Sequence, residues 1–283
     1  MTSAWQLSPF LVEGLVRRAL EEDLGRGDIT TEACVPPDAR ARVELRARDA
    51  LVLSGLDVFA ATFAAVDPDL EVERVAEDGV RLEPGQVAAR VEGRAQSILK
   101  GERVALNFVQ RMCGVATKTR ALVDALPAGS RARITDTRKT TPGLRAIERY
   151  AVRCGGGHNH RDDLSSAVLI KDNHIAACAS VGEAIRRARA NAPHTSRITC
   201  EVDTEAQLDE ALAAGADVVM LDNFDDAALP DAVARVAGRA LIEVSGRVDL
   251  ARIARIASAG VDIISVGALT HSAPAADLGL DWA

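Results

Sequence analysis

From about residue 130 onward, short β-rich runs alternate with alanine-rich helical stretches, and this alternation limits what the chain can become more than any other feature. The runs are 132–137, 167–171, 197–202, 218–222, 240–244 and 263–267. Their polar ends fall near 136, 171, 201, 222, 243 and 265, so the successive steps are 35, 30, 21, 21 and 22 residues. Steps of that size are those of β/α units. Two units repeat one another: 214–221 reads AGADVVML and 259–266 reads AGVDIISV. In each, glycine ends a helix, aspartate opens a turn and an apolar strand follows. The pattern predicts a parallel α/β architecture. Six strands rather than eight leave an open doubly wound sheet as the alternative. An incomplete (β/α) barrel of about six to seven strands is favoured, because nearly every run closes on a polar residue and a barrel gathers its strand ends around one mouth.

Residues 1 to about 114 read differently, as mixed α and β. Ser8-Pro9 predicts a helix start with a side-chain cap, running to about Asp23 and stopping at Gly25. Residues 42–53 alternate loosely, and short strands fit 70–75 and 86–91. A long helix fits 95–112, with Lys100, Arg103, Asn107 and Gln110 in a polar stripe on one face.

Hydrophobic residues make up 48% but aromatics only 3%, so the core must be built from Ala, Val, Leu and Ile. The net charge of −7 and the scarcity of stacking rings disfavour a nucleic-acid binder. No apolar run is long enough to span a membrane. Residues 1–18 include Glu13 and lack a signal-peptide core. Five widely spaced cysteines without a CxxC fit reduced thiols, and a cytoplasmic protein is expected. The Gly-rich turns of dinucleotide and P-loop sites are missing.

Within this acidic chain, residues 131–171 hold nine Lys or Arg against four Asp or Glu. Arg145, Arg149 and Arg153, spaced by four on a predicted helix beside Glu148, fit a solvated face. Arg138, Lys139, Arg161 and Lys171 lie instead at strand ends or in the loop between them. Only four of the 34 basic residues are lysines, and two of them stand at strand ends. Lysine is a compact charge suited to phosphate and arginine a fork suited to carboxylate, so a pocket holding both suits a ligand with both groups.

The segment Gly155-Gly156-Gly157-His158-Asn159-His160-Arg161 lets backbone approach an anion closely. Cys154, His158 and His160 have zinc-ligand chemistry, but no spaced partner completes a tetrahedral set. Glu201 and Asp222 close consecutive apolar runs, where they suit sugar hydroxyls, Mg²⁺ or a developing cation; ion pairs with Lys139 and Lys171 are the structural alternative. Ser245-Gly246-Arg247 and Val266-Gly267-Ala268 follow the last two runs, where barrels commonly hold phosphate.

Several strings together resemble one family, the carboxylating nicotinate-nucleotide pyrophosphorylases or quinolinate phosphoribosyltransferases. They are EDLGRGDITT at 22–31, GERVALNFVQR at 101–111, TDTRKTTPGLR at 135–145, GGGHNHR at 155–161, LIKDNHI at 169–175, EVD at 201–203, MLDN at 220–223 and SVGALTHS at 265–272. The resemblance implies conversion of quinolinate and phosphoribosyl pyrophosphate to nicotinate mononucleotide, CO₂ and pyrophosphate, with Mg²⁺, in NAD biosynthesis. It also implies an N-terminal α/β sandwich domain, 1–114, rejoined by the tail 272–283, and a catalytic barrel, 115–271. A homodimer or larger homo-oligomer follows, each site borrowing Arg103 from the neighbour. Arg138, His160, Arg161 and Lys171 would surround the quinolinate carboxylates. Lys139 would lie near the pyrophosphate, with Thr137 also among the substrate-binding positions. Lys139, Lys171, Glu201 and Asp222 form the implied catalytic set. Glu201 and Asp222 would face ribose and metal, and Ser245–Arg247 with Val266–Ala268 the 5′-phosphate.

Asp162, Asp163, Ser166 and Arg247 depart from the family pattern and bear on affinity. Competing readings are a transferase acting on another heterocycle such as nicotinate, a Schiff-base aldolase using Lys171, and a non-catalytic anion-binding protein.

Overall fold

A computed structural model describes residues 6–246 and 248–283. In chain order the elements begin with α1 (Pro9–Leu24), α2 (Ile29–Cys34), β1 (Arg40–Ala47), β2 (Leu51–Val52), α3 (Leu56–Val66) and β3 (Glu71–Arg74). There follow β4 (Arg81–Leu82), β5 (Val87–Arg94), α4 (Ala95–Asp124), β6 (Arg133–Thr135), α5 (Arg145–Cys154) and β7 (Val168–Ile170). Next come α6 (Asp172–Cys178), α7 (Val181–Asn191), β8 (Ile198–Val202), α8 (Glu205–Ala213), β9 (Val218–Leu221) and α9 (Leu229–Val236). The chain ends with β10 (Leu241–Ser245), α10 (Leu250–Ser258), β11 (Ile263–Ser265), α11 (Ala268–His271) and β12 (Leu278–Trp282). Two compact units result: 1–120 with 140–156 and 269–283, and 121–139 with 157–268. The segment 140–156, carrying α5, thus goes with the first unit, although it falls inside the 115–271 span expected of the barrel.

In the first unit an antiparallel sheet runs β12-β1-β5-β3. The tail supplies its edge, Leu280 facing Leu45 and Trp282 facing Val43. Val43, Leu45, Ala89 and Val91 of the sheet form one core with Phe59 and Phe63 of α3 and Ile98, Ala105 and Val109 of α4. The expected run 42–53 is two strands, broken at residues 48–50. Ser8 sits at the cap of α1 but makes no side-chain cap bond, so Pro9 is the start signal that operates.

The helix expected over 95–112 continues to Asp124. Gly114 does not end it; a Cβ there would lie 1.9 Å from the Pro274 carbonyl oxygen, so glycine admits the returning tail. Of the polar stripe, Lys100 pairs with Glu32 at 2.9 Å, Gln110 Nε2 donates to the Leu278 carbonyl at 2.8 Å, and Arg103 and Asn107 are exposed.

The face of α5 is not the solvated one expected. Glu148 is fully buried and accepts from Arg111, while Arg149 is only 8% exposed. A carboxylate on that face attracts cations inward rather than leaving them in water. Glu148 also accepts from the Thr141 amide at 3.0 Å and hydroxyl at 2.7 Å, fastening the segment that follows Lys139.

In the second unit all six expected runs are strands, in the order β6-β11-β10-β9-β8-β7 and parallel throughout. The chain steps one way around, and its last strand, β11, pairs with its first, β6. A doubly wound sheet would instead reverse direction at a switch point, so this is the incomplete barrel. The gap lies between β6 and β7. There His158 bridges to Thr135, its amide donating to the Ile134 carbonyl at 2.8 Å. The internal repeat also has a physical role. Asp217 Oδ2 accepts from the Ile198 amide at 2.7 Å and Asp262 Oδ2 from the Ile242 amide at 2.9 Å. Each aspartate thus satisfies an amide near the start of the preceding strand.

Candidate active site

At the carboxyl ends of these strands the second unit gathers polar side chains from both sides of the gap. After β6 come Asp136, Thr137, Arg138 and Lys139. Asp136 is fully buried and works as an anchor. Its Oδ1 accepts from the His160 amide at 2.7 Å and its Oδ2 from Asn159 Nδ2 at 2.6 Å. The glycine-rich segment is thereby tied to the β6 edge, and its histidine and arginine are held in place. Thr137 Oγ1 accepts from the Lys139 amide at 3.1 Å, an ST-turn that sets the direction of the exposed lysine.

Arg161 is half-buried and its Nη1 donates to the Ala167 carbonyl at 3.1 Å. Burial, together with the like charge of Arg138, pushes this guanidinium below its ordinary value, and Asp163 opposes the shift. Two arginines close enough to repel form a site that an anion would stabilise. The acidic departure beside them is internally bonded. Ser166 Oγ accepts from the Asp162 amide at 3.0 Å and the Asp163 amide at 3.3 Å, and Asp163 accepts from the Ser165 amide and hydroxyl.

Lys171 closes β7 and caps α6. Its amide donates to His174 Nδ1 at 3.0 Å, and its ammonium donates to Glu201 Oε2 across the β7–β8 pair. A lysine ion-paired and 45% exposed lacks the desolvated setting of a Schiff-base nucleophile. The carboxylate of Asp222, which follows β9, accepts from Asn223 Nδ2 at 3.3 Å. Its Oδ1 would lie 3.0 Å from a Cβ at Gly246, so that glycine leaves the carboxylate room.

Among the described residues no group of three or more His, Cys, Asp or Glu is placed to hold a metal by itself. The donor set at Glu201 and Asp222 nevertheless fits Mg²⁺, which is often bound by one or two carboxylates and takes its other ligands from water and substrate phosphate.

Gly246 has φ near +90°, which favours glycine. Its carbonyl accepts from Arg252 Nη1 at 3.1 Å, and Arg252 is itself held by Asp226. The Ser245–Gly246 turn is therefore anchored from α10; Arg247 lies outside the described residues. In the other loop the Val266 amide donates to the Thr135 carbonyl at 2.9 Å, which ties that loop to β6.

Arg103 is carried by the first unit, exposed on α4. Burial pushes the Cys154 thiol up to about 11 and Cys200 up to about 12, and Cys113 also upward, so none of these three supplies a ready thiolate.

Three residues escaped the sequence reading. Asp136 and Glu243 served there only to mark strand ends, and Arg252 carried no signal. Glu243 is buried with its Oε1 3.4 Å from His160 Nε2.

Comparison with known proteins gives the family of this chain. The family model "Quinolinate phosphoribosyl transferase, N-terminal domain" matches residues 28–113, and its C-terminal counterpart matches 115–281. A nicotinate-nucleotide pyrophosphorylase (carboxylating) of Mycobacterium leprae is 46% identical over 275 residues, 94% of this chain and 95% of that protein. A probable enzyme of the same name from Bacillus subtilis is 42% identical over 264 residues, 92% of this chain and 89% of that protein. A crystal structure of NadC from Streptococcus pyogenes superposes with a TM-score of 0.94 at 42% identity, covering 99% of this chain and 100% of that one. The chain belongs to the quinolinate phosphoribosyltransferase family.

Proposed function

We propose that the protein transfers a phosphoribosyl group from phosphoribosyl pyrophosphate to the ring nitrogen of quinolinate and releases nicotinate mononucleotide, CO₂ and pyrophosphate. The observation that carries this reading is the convergence of Arg138, His160, Arg161 and Lys171 with Glu201 and Asp222 at one end of a parallel barrel, in a chain of this family. Both substrates are polyanions and repel one another until cations neutralise them. Arg138, Arg161, His160 and Lys171 receive the two ring carboxylates. Lys139 faces the pyrophosphate, with Thr137 setting its direction. Ser245, Gly246 and Arg247, with Val266–Ala268, form the loops for the 5′-phosphate.

As the ring nitrogen attacks the anomeric carbon, the C–O bond to pyrophosphate breaks and positive charge develops on the sugar. Glu201 and Asp222 stabilise that charge and accept from the ribose hydroxyls. Glu201 and Asp222 would hold Mg²⁺, which when bound would supply charge neutralisation for the pyrophosphate. The ring nitrogen, now cationic, stabilises by its charge the electron pair left on the adjacent carbon when that carbon's carboxylate departs as CO₂, and a proton from solvent then bonds to that carbon. Arginines that bind that carboxylate tightly would resist its loss, so the one that stays is the better target for the Arg138–Arg161 pair.

The reading includes a cytoplasmic homodimer, or a larger homo-oligomer, in which Arg103 of a second copy completes each site. Among the described residues no helix is long and apolar enough to cross a membrane.

The test is purified protein with quinolinate, phosphoribosyl pyrophosphate and Mg²⁺, followed by mass detection of nicotinate mononucleotide. Product that requires all three supports the reading. Absence of product, or faster turnover of nicotinate, overturns it.

A further inference from the structure

We infer that Glu243 is the positioning residue of His160, holding the imidazole by Nε2 so that the ring meets the quinolinate carboxylates in one orientation. The inference rests on the proposed substrate. Glu243 lies in the middle of β10 between the buried aliphatic side chains of Ile242 and Val244, and is itself 1% exposed. A carboxylate in such a strand is costly unless its partners repay the lost hydration.

Its partners on the barrel side form a line. Thr135 Oγ1 lies 3.0 Å from Ser265 Oγ, the Ser265 hydroxyl donates to Glu243 Oε1, and that same oxygen stands 3.4 Å from His160 Nε2. The line crosses β6, β11 and β10 in sheet order and ends beneath the ring. The His160 backbone is fixed separately, by Asp136. Loop and ring therefore each have their own buried carboxylate. The 3.4 Å separation is at the long end of hydrogen-bond distances and within ion-pair reach. A carboxylate on one ring nitrogen fixes the plane of an imidazole and the proton on that nitrogen, as it does for metal-bound histidines. Glu243 acts through His160 and does not touch substrate.

The alternative is that Glu243 only ties Ser265 across the sheet. A double-mutant cycle separates the two, because coupling appears only between residues that act together. Glu243→Gln, His160→Gln and the double variant are assayed for kcat/KM toward each substrate, with melting curves to establish folding. Glu243→Gln is expected to lower kcat/KM for quinolinate by about 10- to 100-fold, the usual cost of losing such a support. The value for phosphoribosyl pyrophosphate at saturating quinolinate should move much less. In the His160→Gln background the quinolinate effect should nearly vanish.

An equal loss in both backgrounds overturns the inference and leaves the proposed substrate standing. An unchanged quinolinate kcat/KM in His160→Gln alone removes His160 from the substrate site, whatever Glu243 does. If Glu243→Gln does not fold, Ser265→Ala, which cuts the other tie to the carboxylate, enters the same cycle. A loss that depends on His160 is expected, and a loss additive with His160→Gln overturns the inference.

Discussion

Lys171 and Glu201 close adjacent parallel strands with their charges joined, the ammonium donating to the carboxylate across the pair. Each is the other's counter-ion, and in the proposed reaction substrate binding would exchange one set of partners for another. The lysine is 45% exposed, and ion pairs of that kind contribute about 0–1 kcal/mol to folding. Lys171→Ala should therefore scarcely shift the melting temperature. It should lower kcat/KM by about 100-fold or more, the scale of losing a charge-stabilising donor. Thermal melts and steady-state assays on one preparation check both halves.

Arg161→Ala and Lys139→Ala should each reduce turnover by about 100-fold or more with the fold intact. Arg161→Lys should recover only part of the loss, because a point charge cannot reproduce a fork on a carboxylate. Near-normal turnover in either alanine variant would remove that residue from the site.

If each site is completed by Arg103 of a second copy, Arg103→Ala and Lys171→Ala chains are separately inactive but complementary. Unfolding and refolding them together should produce hybrids with one intact site and partial recovery of activity. No recovery, with subunit exchange demonstrated by mass spectrometry of tagged chains, would count against a shared site.

Gly114→Ala places a methyl group against the Pro274 carbonyl. Relief requires the tail or α4 to move, at a cost of about 1–3 kcal/mol or more. The expected readouts are a lower melting temperature and faster proteolysis within 272–283, the segment that carries β12.

Asp67 is 4% exposed, and hydrogen bonds from Arg94 and then Ser97 hold its carboxyl well below the usual carboxylate range. A depressed folded value means stability that is full above the unfolded value, about 3.9, and lost as pH falls toward the folded one. Asp67→Asn should therefore melt below the wild type at neutral pH. The gap should narrow as pH falls below about 4, and a constant gap across that range would refute the assignment.

The barrel strands were legible because nearly every run closes on or beside a polar residue, and the last three also follow closely on a glycine. Helix α3 was not: Leu56, Val58, Phe59, Thr62 and Phe63 are buried around much of its circumference, which blurs the period that betrays an amphipathic helix. The arginines of α5 were misjudged because Glu148 turns that face inward through Arg111, 37 residues away. In the candidate site, most of the residues proposed to carry chemistry drew notice by type and position. Their supports, Asp136 and Glu243, did not, because a carboxylate is recognised as a support only once its partners on other strands are known.

The strand that completes the amino-terminal sheet follows every barrel strand in the chain. During synthesis, a module begun before the barrel is consequently completed after it. Until β12 leaves the ribosome, β1 has only β5 beside it and offers a bare edge to any extended peptide nearby. Newly made molecules should therefore depend most on chaperones in the interval before β12 emerges, and deleting residues 272–283 should harm the sheet of the first unit rather than the barrel.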